Sequence, residues 1–495
     1  MKTDRSLSKT KFVAGWQCLK RLYLQVYHRE LAAKIDDATQ AILTQGQKVG
    51  ELARKVFPGG VLINASHLEV KKALEDTRRF IADSSVPAIF EAAFLYDNVL
   101  VRVDILARGP SNLWRLIEVK SSTGVKENYH YDLAIQKHVL TGSDLELQSC
   151  SLMYLNRDYV YDGIEYRLDD LFIIEELDTE IDRTLLEIPQ LLAEMKGALR
   201  EKTAPDIKPG PQCSNPVICE FFDHCNLPLP LEHVANLPGL KGAKLARLLD
   251  SGITVISELP SDFPLSEKQQ RAYKSVIEGK PRFENGIQEA FKEFNYPLYF
   301  MDFETLYPAL PRFAEMRPYD HIPFQWSVHI QDHPYGELRH HEFLAENESD
   351  PRLEFLLSLL EVLKTEGDIV VYNKGFESSR LNDLANWFPA YKSQIESIQK
   401  RLWDLLPVVR NNVYHPEFQG SFSIKTVLPA LIPDMKYEGM PISNGEQAGA
   451  AWEKMVSGNL TKSEKELLRQ GLLAYCRQDT IAMVRLLESL GKASL

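Results

Sequence analysis

A chain of 495 residues with 44% hydrophobic and 25% charged side chains is globular and too long for one ordinary core, so roughly two to four domains are expected. No run of about 18 apolar residues occurs, which excludes a spanning helix, and no membrane partner is expected. The formal net charge of -12 excludes a uniformly basic chain, yet acidic metal sites can coexist with local basic faces, and residues 1–30 carry seven Lys/Arg against two Asp/Glu.

The opening stretch lacks an apolar h-region, so no signal peptide is expected and the cytoplasm follows by default. In that compartment six cysteines do not suggest a disulfide scaffold. Ser6-Leu-Ser8 reads as a capping start for a helix, spanning about residues 6–35, that contains Cys18, Lys20 and Arg21. A second helix is expected from Asp36 to Phe57, with Ile42, Leu43, Val49, Leu52 and Val56 as its apolar stripe, and a third over Leu68–Ala82.

Two β-patterned runs follow, Val99–Arg108 and Leu116–Lys120, separated by the turn segment Gly109–Asn112. Strand periodicity puts Glu118 and Lys120 on one face, and pairing of the two runs brings Asp104 alongside them. Two carboxylates and an ammonium suit a divalent ion, Mg2+ or Mn2+, and a water that it activates. A helix over 127–141 and a strand pattern over 145–155 come next, then one long helix over 178–202 and a Pro-rich linker, 204–211.

Cys213, Cys219 and Cys225 lie immediately beyond that linker, in a polar, turn-rich segment. Metal ligation accounts for such density better than core packing, and a fourth thiolate is required. Cys18 is the candidate, because Cys150 is mid-strand and Cys476 is remote in sequence. Gaps of five residues are wider than paired zinc ligands usually show, which favours a [4Fe–4S] cluster, with zinc as the alternative.

Residues 6–228 resemble RecB-like PD-(D/E)xK nucleases of the four-cysteine iron–sulfur type: a Cys, an Asp, Glu-x-Lys, a Gln and three Cys in that order. The resemblance implies that Asp104 and Glu118 hold the metal, that Lys120 assists hydrolysis, and that Gln136 fills the family's glutamine position. One departure is that Gly46–Glu51 lacks the family's metal-binding His. Glu91 is the candidate substitute.

Leu237–Thr254 reads as helix, Gly-rich turn, helix and looks like a helix-hairpin-helix element. Gly239, Gly242 and Lys244 would then contact a nucleic-acid backbone; an ordinary packing hairpin is the equal alternative. Residues 237–282 carry eight basic against five acidic side chains.

From Tyr296 an apolar strand ends in Asp302-x-Glu304, two carboxylates on one face. A buried-type strand then leads to Asn373 and Glu377, and Leu402-Trp-Asp404 continues the pattern. Ser463-x-x-Glu466 is expected to cap a last helix, on which Tyr475 and Asp479 share one face. Residues 295–490 resemble DEDD-type 3′–5′ exonucleases of the RNase H-like superfamily. That resemblance implies two metals held by Asp302, Glu304, Glu377 and Asp479, with Tyr475 orienting the attacking water. Glu377 stands where the family has Asp, and Asp404 is a fallback ligand with a structural role as the other reading.

The expected fold is therefore multidomain α/β: a PD-(D/E)xK restriction-endonuclease-like core (1–228), a helical linker (229–290) and an RNase H-like mixed-sheet domain (291–495). The expected function is metal-dependent hydrolysis of nucleic acid, DNA more than RNA, with a partner helicase left open. The alternative is a nucleic-acid-binding or scaffold protein with one or both centres inactive.

Overall fold

A computed structural model describes residues 7–110, 113–226 and 229–493. The chain divides into two compact units, mixed α/β in character. The first comprises Met1–Leu227 with Pro308–Asp320, and the second Pro228–Tyr307 with His321–Leu495. No helix among the described residues is long and apolar enough to cross a membrane.

The first unit is built on a seven-stranded mixed sheet. Its strands are β1 (Leu7–Ser8), β2 (Val61–Leu62), β3 (Ala88–Tyr96), β4 (Val99–Arg108), β5 (Trp114–Lys120), β6 (Leu147–Leu155) and β7 (Phe172–Glu176). The order β2-β3-β4-β5-β6-β7 carries β1 as an extra partner of β4. β3 covers one edge of β4 along its length. The other edge is shared: β1 pairs at Val99 and Leu100, and β5 pairs from Ile105 to Arg108. Asp104 falls in the gap between them. Ser111 and Asn112 of the expected β4–β5 turn lie outside the described residues, as does Ser6 of the expected helix start.

Two expected helices are each broken. Lys9–Gln17 and Leu19–Tyr27 are separate, because Cys18 adopts an extended backbone between them; Ser8 Oγ caps the first by accepting from Lys11 N–H. The long helix expected over 178–202 divides into Asp178–Leu185 and Ile188–Ala198. Pro189 lacks an N–H and its ring clashes with the preceding turn, so the helix restarts around it. Asp37–Arg54 is one helix, but Ile42 and Leu43 of its expected apolar stripe are exposed while Val49 and Ala53 are buried. Only its C-terminal half packs on the sheet.

The second unit holds a five-stranded sheet in the order β11-β10-β9-β12-β13, formed by β9 (Leu298–Leu306), β10 (Ile322–Gln331), β11 (Leu338–Leu344), β12 (Ile369–Val371) and β13 (Leu402–Asp404). β10 runs antiparallel to its neighbours and β12 parallel to both of its own. A short antiparallel pair, β8 (Arg282–Phe283) and β14 (Val413–Tyr414), lies beside it. The 32-residue helix Lys462–Ala493 crosses β9 and β10. Thr461 and Glu464 cap that helix, not Ser463 and Glu466: Glu464 accepts from the Thr461 N–H at 2.8 Å.

The stretch 229–290 does not form a core of its own. Leu237, Leu240, Leu248, Ile256 and Ala272 bury in one cluster with Val409, Tyr414, Phe418 and Val484. Its expected first helix is a three-residue 3-10 turn, Val234–Asn236, ahead of the helix Ala243–Asp250. Pro238 and Gly239 leave no room for a longer one.

Candidate metal centres

In the first unit Asp104 and Glu118 come together as their strands part. Beyond Ile105 and Ile117 the ladder stops, and Asp104 Oδ2 accepts from Val119 N–H at 2.8 Å in place of a strand carbonyl. Glu118 is 1% exposed and its carboxylate is saturated with donors. Lys9 Nζ donates to both oxygens at 2.8 and 2.9 Å, Lys120 Nζ to Oε1 at 2.8 Å, and Gln136 Nε2 to Oε2 at 2.8 Å. Lys120 also pairs with Asp132. Burial opposes the Glu118 charge, but Lys120 and Lys9 overcome it and hold the carboxyl at about 2. Asp104 goes the other way: burial, reinforced by the Glu118 charge, lifts it to about 7.

A cavity of about 920 Å3 opens over this pair, lined in part by Gln47, Glu51, Arg54, Glu91, Asp104 and Lys120. Glu91 lies opposite Asp104 in the β3–β4 register with φ of 58°, left-handed in mid-strand, and pairs with Arg54 at 3.2 Å. A non-glycine residue rarely adopts that conformation, and such strain concentrates at working sites. Glu51 occupies the helix face where the resemblance expects a His. Lys9, Asp132 and Glu51 carried no motif that sequence reasoning could have used.

The four cysteines also converge. Cys18, Cys213, Cys219 and Cys225 line one small cavity, and all are free thiols. The extended backbone at Cys18 turns it toward the loop, which Gln17 fastens by donating to the carbonyls of Gln212 and Val217 at 2.6 and 2.8 Å. Phe221 N–H donates to Cys219 Sγ at 3.4 Å.

In the second unit β9 delivers Asp302 and Glu304, and the long C-terminal helix delivers Tyr475, Cys476 and Asp479. Buried positions Leu472, Tyr475, Cys476, Asp479, Thr480 and Met483 mark that helix's inward face. Burial, then the charges of Asp479, Glu304 and Glu377, hold Asp302 well above the usual carboxylate range. Burial and Asp479 do the same for Glu304 against Lys425. Asp479 is lifted by burial to about 6, restrained by the Tyr437 hydroxyl, which donates to its Oδ1 at 2.6 Å, and by Lys425. Lys425 Nζ donates to Tyr475 Oη at 3.0 Å. Tyr437 and Lys425 carry no sequence motif that marks them as site residues.

Glu377 is 2% exposed, with Oε2 lacking a hydrogen-bond partner among the described residues, and burial raises it to about 8. Asp404 adds to that rise, but its own oxygens are taken up by backbone N–H groups. Its Oδ1 accepts from Asn373 and Leu406 N–H and its Oδ2 from Lys374 N–H, each at 3.0 Å. It thereby holds Asn373 at φ of 90°, where the helix bearing Glu377 begins. One ligand atom each from Asp302, Glu304 and Cys476 lies within 4.8 Å of the others.

Gly239 and Gly242 have φ of 73° and 59°, with open space where a Cβ would stand, and Lys244 is in the first turn of the following helix.

Residues 299–423 match the family described as Domain of unknown function (DUF2779). That segment contains Asp302, Glu304, Glu377 and Asp404, and stops before Lys425, Tyr475 and Asp479. A 208-residue stretch is 25% identical to Uncharacterized protein UU173 of Ureaplasma parvum serovar 3. The similarity covers 37% of this chain and 30% of that relative's length.

Proposed function

We propose that the chain is a metal-dependent phosphodiester hydrolase acting on nucleic acid, DNA more than RNA, with a RecB-like PD-(D/E)xK centre in the first unit and a DEDD-type 3′–5′ exonuclease centre in the second. The observation that carries this reading is the charge imbalance in the second unit. Beyond burial, the charges of Asp479, Glu304 and Glu377 raise Asp302, and that of Asp479 also raises Glu304. Lys425 is a cation acting on Glu304 and Asp479, and the orphaned Glu377 oxygen adds unmet acceptor capacity. Carboxyls gathered out of water either take up protons or need a counter-charge, and divalent Mg2+ or Mn2+ would supply one. A mixed sheet with the Asp-x-Glu strand at its centre suits the RNase H-like resemblance.

The residues divide the work. Asp302, Glu304 and Asp479 would hold the ion, with Glu377 completing its surroundings. An ion held by these residues would supply a lowered water pKa and offset charge developing on the phosphate. Tyr475, its hydroxyl fixed by Lys425, orients the attacking water. In the first unit Asp104 and Glu118 would be the ligands, and Lys120 the cation facing the phosphate.

The cysteines fit a structural cluster. All four line one small cavity, and the five-residue gaps between Cys213, Cys219 and Cys225 are wider than paired zinc ligands usually show, which favours [4Fe–4S], with zinc as the alternative. Gly239, Gly242 and Lys244 supply backbone N–H groups and a charge suited to a phosphate.

A second reading rests on Lys9. Its ammonium already spans both Glu118 oxygens, as expected of a centre that binds nucleic acid without cutting it.

The test is anaerobic purification with iron and sulfide analysis, then assays with Mn2+ on end-labelled single-stranded and duplex DNA and RNA. Asp104→Ala should remove one cleavage pattern and Asp302→Ala the other. If no substrate is cut and both variants match the parent protein, the hydrolase reading fails.

A further inference from the structure

Cys476 is a nucleophilic side chain beside Asp302 and Glu304 that the proposed hydrolysis does not use. It is fully buried on the inward helix face between Tyr475 and Asp479, with Sγ 3.8 Å from the Asp302 carbonyl oxygen and 3.9 Å from Asp302 Oδ2. A thiol is a weak donor, so these long contacts repay little of the cost of placing sulfur among carboxylates.

We infer that the C-terminal centre, besides Mg2+ or Mn2+ on its carboxylates, also accepts a borderline or soft divalent transition-metal ion, of the Co2+ or Zn2+ class, with Cys476 Sγ as a ligand beside Asp302 and Glu304. Ligands bonded at about 2.0–2.3 Å stand roughly 3–3.8 Å apart around one ion. The three atoms here already lie within 4.8 Å of one another, so only a small contraction separates them from a first coordination sphere. Glu377 gives a second pointer: it is 2% exposed, its Oε2 has no partner among the described residues, and its charge acts on Asp302.

The donor set decides the class. Carboxylates alone suit Mg2+ and Mn2+, whereas thiolate selects softer ions. On binding, the Cys476 S–H bond breaks, the sulfur pair goes to the metal and the proton leaves to solvent, so affinity is coupled to proton release. No electrons are transferred.

This inference rests on the reading of the second unit as a metal centre. The full chain, with its cysteine cluster loaded, is titrated anaerobically with Co2+ in parallel with Cys476→Ser, Cys476→Ala and Asp302→Asn. The expected result is a near-ultraviolet thiolate-to-cobalt band that all three variants lose. Co2+ affinity should fall at least about tenfold in Cys476→Ser, the scale on which metal sites respond to altered surroundings, while Mg2+ affinity stays within about threefold. An unchanged cobalt spectrum in both cysteine variants, with binding abolished in Asp302→Asn, overturns the sulfur ligand and leaves the metal centre standing. Unchanged Co2+ and Mg2+ binding in Asp302→Asn overturns the metal centre as well.

Discussion

Lys9 and Glu118 are 109 residues apart in the chain and meet at 2.8 and 2.9 Å through both carboxylate oxygens. Pairing of β1 with β4 sets up the meeting: Ser8 is the last paired residue on β1, and Lys9 begins a helix beside the gap in which Asp104 lies. The ammonium is held well above its ordinary pKa, burial being outweighed by the charges of Glu118 and Asp104.

Replacing Lys9 by Met should therefore destabilise the first unit. Removing one partner of a buried ion pair costs about 3–5 kcal/mol, and the remaining Lys120 contact places this case near 3. Urea unfolding at neutral pH measures it, and Lys9→Arg should recover most of the loss. A Lys9→Met protein as stable as its parent would show that Lys120 and Gln136 suffice.

Acid should weaken the buried histidine pair of the second unit. His329 and His340 stack with ring centroids 4.4 Å apart beneath the C-terminal helix, and Thr480 Oγ1 lies 2.8 Å from His329 Nδ1. Burial, then the neighbouring histidine and the arginines at 477 and 485, depress His329 to about 3; burial, Arg477 and His341 hold His340 at about 4. The unfolded imidazoles titrate near 6.5, so the unfolded state binds more protons between those values. The pair's contribution is complete above about pH 6.5 and is lost as pH falls toward 4, whereas the raised carboxyls of Asp302, Glu304, Glu377 and Asp479 act with the opposite sign. Thermal unfolding of the parent and of His329→Gln from pH 8 to 4 isolates the histidine part: the variant should lose less, or gain more, stability on acidification than the parent. A slope unchanged in that variant would assign the acid sensitivity elsewhere.

Glu377→Gln should raise stability and lower activity together. The substitution keeps the shape and removes a buried carboxylate whose Oε2 is unpartnered, a liability of about 1–3 kcal/mol. The melting temperature should rise without metal, and the further rise produced by saturating Mn2+ in the parent should shrink. Differential scanning calorimetry with and without Mn2+ reads both effects.

Asp404→Ala should be damaging in a different way. It strips acceptors from three backbone N–H groups, including the cap of the helix beginning at Leu405. Loss of a cap alone costs about 0.5–2 kcal/mol, and releasing Asn373 from its left-handed conformation should displace Glu377. Metal affinity should then fall even though Asp404 touches no ion. Asp404→Asn, which keeps one carbonyl oxygen, should recover part of the stability. Unaltered Mn2+ affinity in Asp404→Ala would separate this residue from the site.

Local patterns carried much of the architecture. The two-residue strand period makes Glu118 and Lys120 neighbours, and the helical period puts Tyr475 and Asp479 on one face, whatever the rest of the chain does. Broken helices were less legible: the period continues through Cys18 and Pro189, but a backbone turned extended for a tertiary purpose and a ring without an N–H interrupt it. The second unit's shared core escaped notice because Leu237 and Leu248 bury against Tyr414 and Val484, partners that no local window contains.

By itself the sequence determined which acids, thiols and lysines exist and which of them lie on common local faces. Only the tertiary structure decided their electrical state. Two lysines offset Glu118, one of them 109 residues away in the chain, whereas Asp302 feels the charges of three other acids. Periodicity depends on neighbours along the backbone; charge balance depends on distance through space and on the water that folding removes.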